Sequence, residues 1–176
     1  MKKLKLYNQL VAALLAAGLA VIAPFSVPMG PIPLTLATLG VYLAAVIGGA
    51  GFGTLAVALY LLLGAVGLPV FSGFIGGVQA FLAPTGGFLL GYLPCTVVIG
   101  LGLHIGKHTR TACLVSLLTG TAVLYACGVL GFMYTTSTPF LASVAACCLP
   151  FLIGDAVKIA AVTVIFPALT KLMKKT

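Results

Sequence analysis

Charge is what this sequence has least of. Only 6% of its 176 residues are Asp, Glu, Lys or Arg, and a single one, Asp155, is acidic. A soluble domain carries about a quarter charged residues, so these few cannot solvate a globule of this size. That excludes a soluble enzyme or binding domain. Disorder is excluded as well, because it needs low hydrophobicity and high charge. Here 62% of residues are apolar and the mean hydropathy is +1.29. One carboxylate cannot supply paired-acid catalysis or a carboxylate cage for a hard divalent metal. The only Gly-Lys pair, Gly106-Lys107, continues as His108, so there is no P-loop. Ser72 is not in a Gly-x-Ser-x-Gly elbow. Gly51-x-Gly53-x-x-Ala56 resembles part of a dinucleotide fingerprint, but it opens an apolar helix instead of following a soluble strand. The chain therefore cannot hydrolyse ATP, and active transport would draw on a partner or a gradient. No cofactor of its own is expected.

Cysteine and histidine add little chemistry. Cys95, Cys113, Cys127, Cys147 and Cys148 have no Cys-x-x-Cys spacing and read as small buried hydrophobes. His104 and His108 share a helix face, which would suit a metal, but they stand beside Lys107 and Arg110 and read as interfacial.

What is present is long apolar sequence bounded by basic clusters. The net charge of +8 would suggest nucleic acid in a soluble protein. Here the basic residues sit at Lys2, Lys3 and Lys5, at Lys107 and Arg110, and at Lys171, Lys174 and Lys175. Short basic loops stay in the cytoplasm, so an even number of crossings separates each cluster from the next. Residues 6–106 carry no charge and hold four crossings at about 20 residues each; residues 111–170 hold two. The expectation is an all-α integral membrane protein in a prokaryotic-type plasma membrane. It is one domain over residues 1–176, with six transmembrane helices, both termini cytoplasmic, lipid around it and no nucleic-acid partner. The Leu/Ala/Val runs lack the alternation of a β-barrel. The basic start followed by an apolar run resembles a signal peptide, but no small-x-small cleavage site precedes Pro24, so a retained first helix is expected.

Punctuation places the spans near 6–23, 34–47, 52–66, 85–105 and 111–133, with turns at Pro24–Pro33 and Gly48–Gly51. One helix from Phe140 to Leu172 would run about 50 Å, too long for a bilayer, so Pro150 is expected to break it and start the last span at about Phe151. Residues 67–84 form an apolar, glycine-rich connection, tolerated at membrane depth only when buried or lining a cavity.

Asp155 and Lys158 stand alone in that last span. Each costs about 2.5–3.5 kcal/mol at a helix centre, and a spacing of three lets them pair. The plain explanation is an ion pair that fixes helix packing, yet apolar residues often stabilise as well. An intramembrane ionisable pair points first to a functional site, reachable here from the outer face. Phe71, Phe74, Gln79, Phe81, Phe88 and Tyr92, among many glycines, would form its wall. Gly87-x-x-x-Gly91 also has helix-packing spacing. On the first helix Ala12, Ala16 and Ala20 repeat at i+4 beside Ala13 and Ala17, a flat face for an internal contact or for a docking partner.

Four motifs in register carry a family resemblance over almost the whole chain. They are the run from Pro31 to Gly40, that from Gly64 to Gly73, that from Pro84 to Gly91, and Pro150-Phe-Leu-Ile-Gly-Asp-Ala-Val-Lys158. Together they resemble the BioY family, the biotin-binding S components of energy-coupling factor (ECF) transporters. The resemblance implies the six-helix S-component fold, biotin captured from outside, and a transmembrane T component with two cytoplasmic ATPases that use the ATP. It places Asp155 and Lys158 on the ligand and Ala12, Ala16 and Ala20 on the surface that docks on the T component. Thr35, Phe71, Tyr92 and Gln79 complete the expected substrate-binding set. Ala37 stands where the family usually has Gln, Ala83 where Gly often precedes Pro-Thr-Gly-Gly, and Ile153 where Pro is frequent. The Ala37 departure removes an amide that bears on affinity or ligand choice. An S component for another vitamin, or a proton-coupled permease in which Asp155 titrates, are the alternatives.

Overall fold

The structure, a computed structural model, describes residues 2–30 and 32–174, with side chains from residue 8 to residue 171. Met1, Pro31, Lys175 and Thr176 lie outside that description, as do the side chains of Lys2, Lys3, Lys5 and Lys174. Helix α1 (Lys2–Ile22) leads into a connection whose strands β1 (Ser26–Val27) and β2 (Leu34–Thr35) pair antiparallel, Ser26 opposite Thr35. Then follow α2 (Ala37–Gly48), a π-helical turn (Gly49–Gly53) and α3 (Thr54–Ala65). The segment 66–85 is irregular apart from the short α4 (Gln79–Leu82), as its glycines and prolines imply. The long helices α5 (Gly86–Ile105) and α6 (Arg110–Thr136), the short α7 (Phe140–Cys147) and α8 (Leu149–Lys174) complete the chain. Apart from the two-residue ribbon, the architecture is helical.

Among the described residues, four stretches are long and apolar enough to cross a membrane: Ala37–Ala65, Gly86–Ile105, Arg110–Thr136 and Leu149–Lys171. The first of these is folded back on itself. Gly49 adopts φ +64°, which breaks α2, and Gly53 returns beside it, so close that an added Cβ would lie 3.1 Å from the Cα of Ala45. In one continuous helix those residues would stand about 12 Å apart along the axis. The turn expected at residues 48–51 is therefore real, and its glycines permit both the positive φ and the close return.

Glycines also set the tightest helix pair. A Cβ on Gly87 would lie 2.8 Å from Gly131 Cα, one on Gly91 2.8 Å from Cys127 Cβ, and one on Gly102 3.0 Å from Ser116 Cβ. These three contacts step in opposite directions along α5 and α6, which run antiparallel with backbones nearly touching, as small-xxx-small spacing allows. Thr109 starts α6 by accepting a hydrogen bond from the amide of Ala112 at 3.2 Å, a cap worth about 1 kcal/mol. The break before the last span falls at Cys148, two residues ahead of Pro150. Proline fits the first turn of a helix, where its missing N–H would have no partner, so Pro150 marks a start and not a stop.

One core joins α1, α2, α3, α5, α6 and α8 around Leu19, Tyr42, Tyr60, Ile99, Leu117, Leu124 and Phe166. Outward, Leu14, Val21, Leu62, Leu90, Leu118, Leu130 and Val157 are each more than half exposed. So much exposed apolar surface on so many helices is incompatible with water and fits lipid. The chain is a multi-pass membrane protein. Ala12 and Ala16 belong to the core, and Ala20 packs against it half-buried. This corrects the expected docking face. Ala12 and Ala16 lie buried where α1 packs in the core beside α2 and α3, closed to a partner, with Ala20 at the edge of that contact. The outward small residues of α1 are Ala13, Ala17 and Gly18.

The turn at Gly49 generates a stability prediction. Gly49→Ala forces an L side chain to φ +64° and should lower the unfolding free energy by about 1–2 kcal/mol. Gly18→Ala, which points into open space on a helix, should cost nothing. Thermal unfolding of the purified variants in detergent compares the two.

Candidate functional site

Helix α8 places Asp155 and Lys158 one turn apart on its inward face, both buried at 4% and 8% exposure. They form an ion pair, Lys158 Nζ to Asp155 Oδ1 at 2.9 Å. An ammonium has three N–H donors and no acceptor, and all three are used here. The other two go to Thr38 Oγ1 at 2.6 Å and to the backbone carbonyl of Thr35 at 2.8 Å. Since Thr38 Oγ1 accepts from Lys158, its own proton is directed to Asp155 Oδ1 at 3.3 Å. Tyr125, from α6, donates its hydroxyl to Asp155 Oδ2 at 2.7 Å.

Local structure explains these positions. Pairing of β2 with β1 fixes Thr35, and the amide of Leu36 donates to the Phe25 carbonyl at 3.2 Å. Thr35 Oγ1 then accepts from the amide of Ala37 at 3.1 Å, which opens α2 and sets Thr38 in its first turn. Burial of a charge is sustained only when pairing and hydrogen bonding are complete, and this network meets that condition.

The pair faces a cavity of about 290 Å³, near the lower end of the range for small-molecule sites, about 300–1,000 Å³. Its lining is mostly apolar and aromatic, with Tyr60, Phe71, Phe88, Tyr92, Tyr125 and Phe151 the large contributors. The polar groups are few: Thr35, Thr38, Ser72, Thr85, Asp155 and Lys158. Phe71 is clamped, its ring edge-to-face with Tyr60 at 5.6 Å and with Phe81 at 5.5 Å. Gly64 makes room for it, since a Cβ there would overlap the Phe71 ring. An apolar box with one ion pair can hold a compact ring system and orient a polar edge against it.

The expected site residues sort cleanly. Asp155, Lys158, Thr35, Phe71 and Tyr92 all line the cavity, as does Ala37. Phe88 lines it too, whereas Phe81 stands behind Phe71 and Phe74 turns outward, 61% exposed against Phe25. Gln79 is a correction. It opens α4 on the exposed side, and its amide nitrogen donates to the Gly76 carbonyl at 3.0 Å, so it does not reach the cavity. Its amide closes a local turn instead. Thr38, Tyr125 and Ser72 were not anticipated. Thr38 lies one helix turn from Thr35 in the first motif, and a tyrosine in the middle of an apolar span usually has a hydroxyl partner to find; Ser72 had no sequence signal beyond its place in the second motif. All five cysteines are free. Among the described residues no three His, Cys, Asp or Glu come together as for a metal.

Comparisons with known proteins bear on the family and the fold. The model of the BioY family matches residues 1–175. The biotin transporter BioY of Thermotoga maritima is 45% identical over 123 residues, 69% of this chain and 72% of that protein. The biotin transporter BioY2 of Lactococcus lactis subsp. cremoris is 34% identical over 176 residues, 100% of this chain and 97% of that one. Among solved structures, the S-component for biotin from an ECF-type ABC transporter superposes with a TM-score of 0.90 at 27% identity, covering 97% of this chain and 94% of that chain.

Completeness of the network has a measurable consequence. Lys158→Met leaves Asp155 a buried, uncompensated charge and should lower stability by about 3–5 kcal/mol. Asp155→Asn keeps an oxygen for Lys158 and should cost less. Gln79→Ala, on the exposed side, should stay within about 0.5 kcal/mol of the parent. Denaturation in detergent, without ligand, measures all three.

Proposed function

The chain belongs to the BioY family, and from that premise we propose that it is the substrate-capture subunit of an ECF-type biotin importer. What carries the reading is the buried Asp155–Lys158 pair at the edge of an aromatic cavity, in a fold that matches a biotin S-component at a TM-score of 0.90. The bicyclic ring of biotin suits a small box with aromatic walls, Phe71 and Tyr92 among them. Its ureido N–H groups suit the acceptor oxygens of Asp155, reinforced by Tyr125. Thr35 and Thr38 hold Lys158 in place beneath it.

The orientation follows from charge. With α2 and α3 counted separately, α1, α2, α3, α5, α6 and α8 give six crossings. The basic clusters around Lys107 and Lys171 then lie at the cytoplasmic end with both termini. The cavity, built from the segments 32–38, 71–92 and 151–158 and from mid-α6, belongs to the opposite half and opens outward. ATP is spent elsewhere, by two ATPases joined through a T component in the same plasma membrane. The face offered to that T component is the outward one of α1, with Ala13 and Ala17 at i+4 spacing, in place of the buried Ala12 and Ala16.

Equilibrium binding of biotin to the purified chain, in detergent and without ATP, tests the proposal. Tight binding, nearly abolished in a folded Asp155→Asn variant, is the expected result. Well-folded protein that ignores biotin would sink it, and binding of a different vitamin would redirect it to an S component of other specificity. Uptake that follows the proton gradient and persists without the ATPases would identify a permease instead. A separate variant isolates docking: Ala13→Leu should leave biotin binding intact while cutting ATP-dependent uptake in cells several-fold.

A further inference from the structure

The two oxygens of Asp155 are not used alike. Oδ1 accepts from the Lys158 ammonium at 2.9 Å and from the Thr38 hydroxyl at 3.3 Å. Oδ2 accepts from one donor among the described residues, the Tyr125 hydroxyl at 2.7 Å. A carboxylate offers about four acceptor positions, two on each oxygen. Oδ1 is therefore full, and the position left over lies on Oδ2 beside the Tyr125 hydroxyl. Asp155 and Tyr125 both line the cavity, and the Asp155 side chain keeps 6% of its surface accessible.

A ligand that takes up this position brings an N–H. In a cyclic urea the carbonyl oxygen stands next to each N–H on the same edge of the ring, so the acceptor that meets the N–H needs a donor beside it. Lys158 has none to give. Its three N–H groups go to Asp155, to Thr38 Oγ1 at 2.6 Å and to the Thr35 carbonyl at 2.8 Å, and turning one away would leave a buried acceptor unpaired. Thr38 is held between Lys158 and the filled Oδ1. Tyr125 differs from both. When its proton leaves Oδ2, a ligand N–H takes the same place, and no protein acceptor is orphaned. The phenolic hydroxyl turns to suit its partner while the ring stays packed against the cluster of Ile32, Val129, Phe132, Cys147 and Phe151.

We infer that Tyr125 is a ligand-contacting residue: its hydroxyl turns from Asp155 Oδ2 to donate to the ureido oxygen of biotin, as a ureido N–H takes its place on Oδ2. This deepens the biotin reading above and rests on it. One hydrogen bond is exchanged for two, and the Lys158 network stays as it is. The pair of Asp155 and Tyr125, acceptor and donor 2.7 Å apart, then reads an edge that carries N–H beside C=O. A ring with the N–H but without the oxygen satisfies only half of it.

The test titrates the parent and Tyr125→Phe in detergent, each with biotin and with the analogue in which sulfur replaces the ureido oxygen. The analogue keeps both N–H groups and has a weak acceptor in place of a strong one. Tyr125→Phe should weaken biotin binding roughly 5- to 10-fold, the range for one lost hydrogen bond. The sulfur analogue should lose at most about 2-fold, because the bond removed is weak from the start. Any change the variant makes to Asp155 itself is common to both ligands and cancels in the comparison. An equal loss for both ligands marks a residue that only shapes Asp155 and overturns the inference. Undiminished biotin binding in the variant overturns it as well. A parent that binds both ligands alike does the same, because no donor then meets the ureido oxygen. Failure of the parent to bind biotin overturns the underlying reading, and this one with it. Tyr125→Met, also without the hydroxyl, takes the place of Tyr125→Phe if the latter does not fold, with the difference between the two ligands again the readout.

Discussion

The buried pair of Asp155 and Lys158 is the constraint on which the rest of the structure depends. Two charges in an apolar bundle are sustained only by complete hydrogen bonding, and no single helix can supply that. Here α8 brings the pair, α2 brings Thr38, β2 brings the Thr35 carbonyl and α6 brings Tyr125. Four segments distant in sequence are therefore tied at one point. The network ties the first connection to the last helix, so anything that perturbs the pair also perturbs the loop at the cavity edge. Such a pair contributes little net stability compared with apolar packing. Its retention makes sense where a fixed acceptor in a dry box gains binding specificity.

Glycine shapes the space around that point. Close backbone approach of α5 to α6 at Gly87, Gly91 and Gly102 concentrates packing on one side of the bundle. The sharp reversal at Gly49 folds the chain back, so that Gly53 returns beside Ala44 and Ala45 and α3 packs on α2. Gly64 admits the Phe71 ring, which in turn fixes the segment carrying Ser72. The cavity is thus walled by aromatics anchored against each other, and not by side chains free to collapse into it.

Much of this was legible in the sequence, and the reason is the membrane. Hydrocarbon penalises charge so strongly that basic residues mark helix ends and the isolated Asp155 and Lys158 mark a site. What was not legible depends on tertiary partners. Helical periodicity shows that Ala12 and Ala16 share a face, but an apolar solvent erases the contrast between inside and outside that amphipathic patterning gives in water. Gln79 was misplaced because its direction is set by an irregular backbone through Gly76 and Gly77, for which sequence has no period. Tyr125 and Thr38 meet Asp155 across 30 and 117 residues of separation, beyond any local signal. Pro150 was expected to break the segment and start the last span at about Phe151; the break lies two residues earlier, at Cys148, because proline fits inside the first turn of a helix and sequence does not say which residue of that turn it takes.

Ala37 is where family pattern and structure bear on each other most directly. The residue lines the cavity in the first turn of α2, next to Thr38, and is 3% exposed. The glutamine usual at this place in the family would bring an amide to the same wall. Its absence leaves the pair's hydrogen bonds untouched, because Lys158 and Asp155 are satisfied by Thr35, Thr38 and Tyr125 without help from residue 37. The geometry of the pair therefore does not depend on an amide at residue 37. What changes is the inventory of polar groups elsewhere in the box, which falls to a few hydroxyls on an apolar surface. On the proposed reading, a cavity so furnished would hold its ligand by shape and by one strong polar anchor at Asp155.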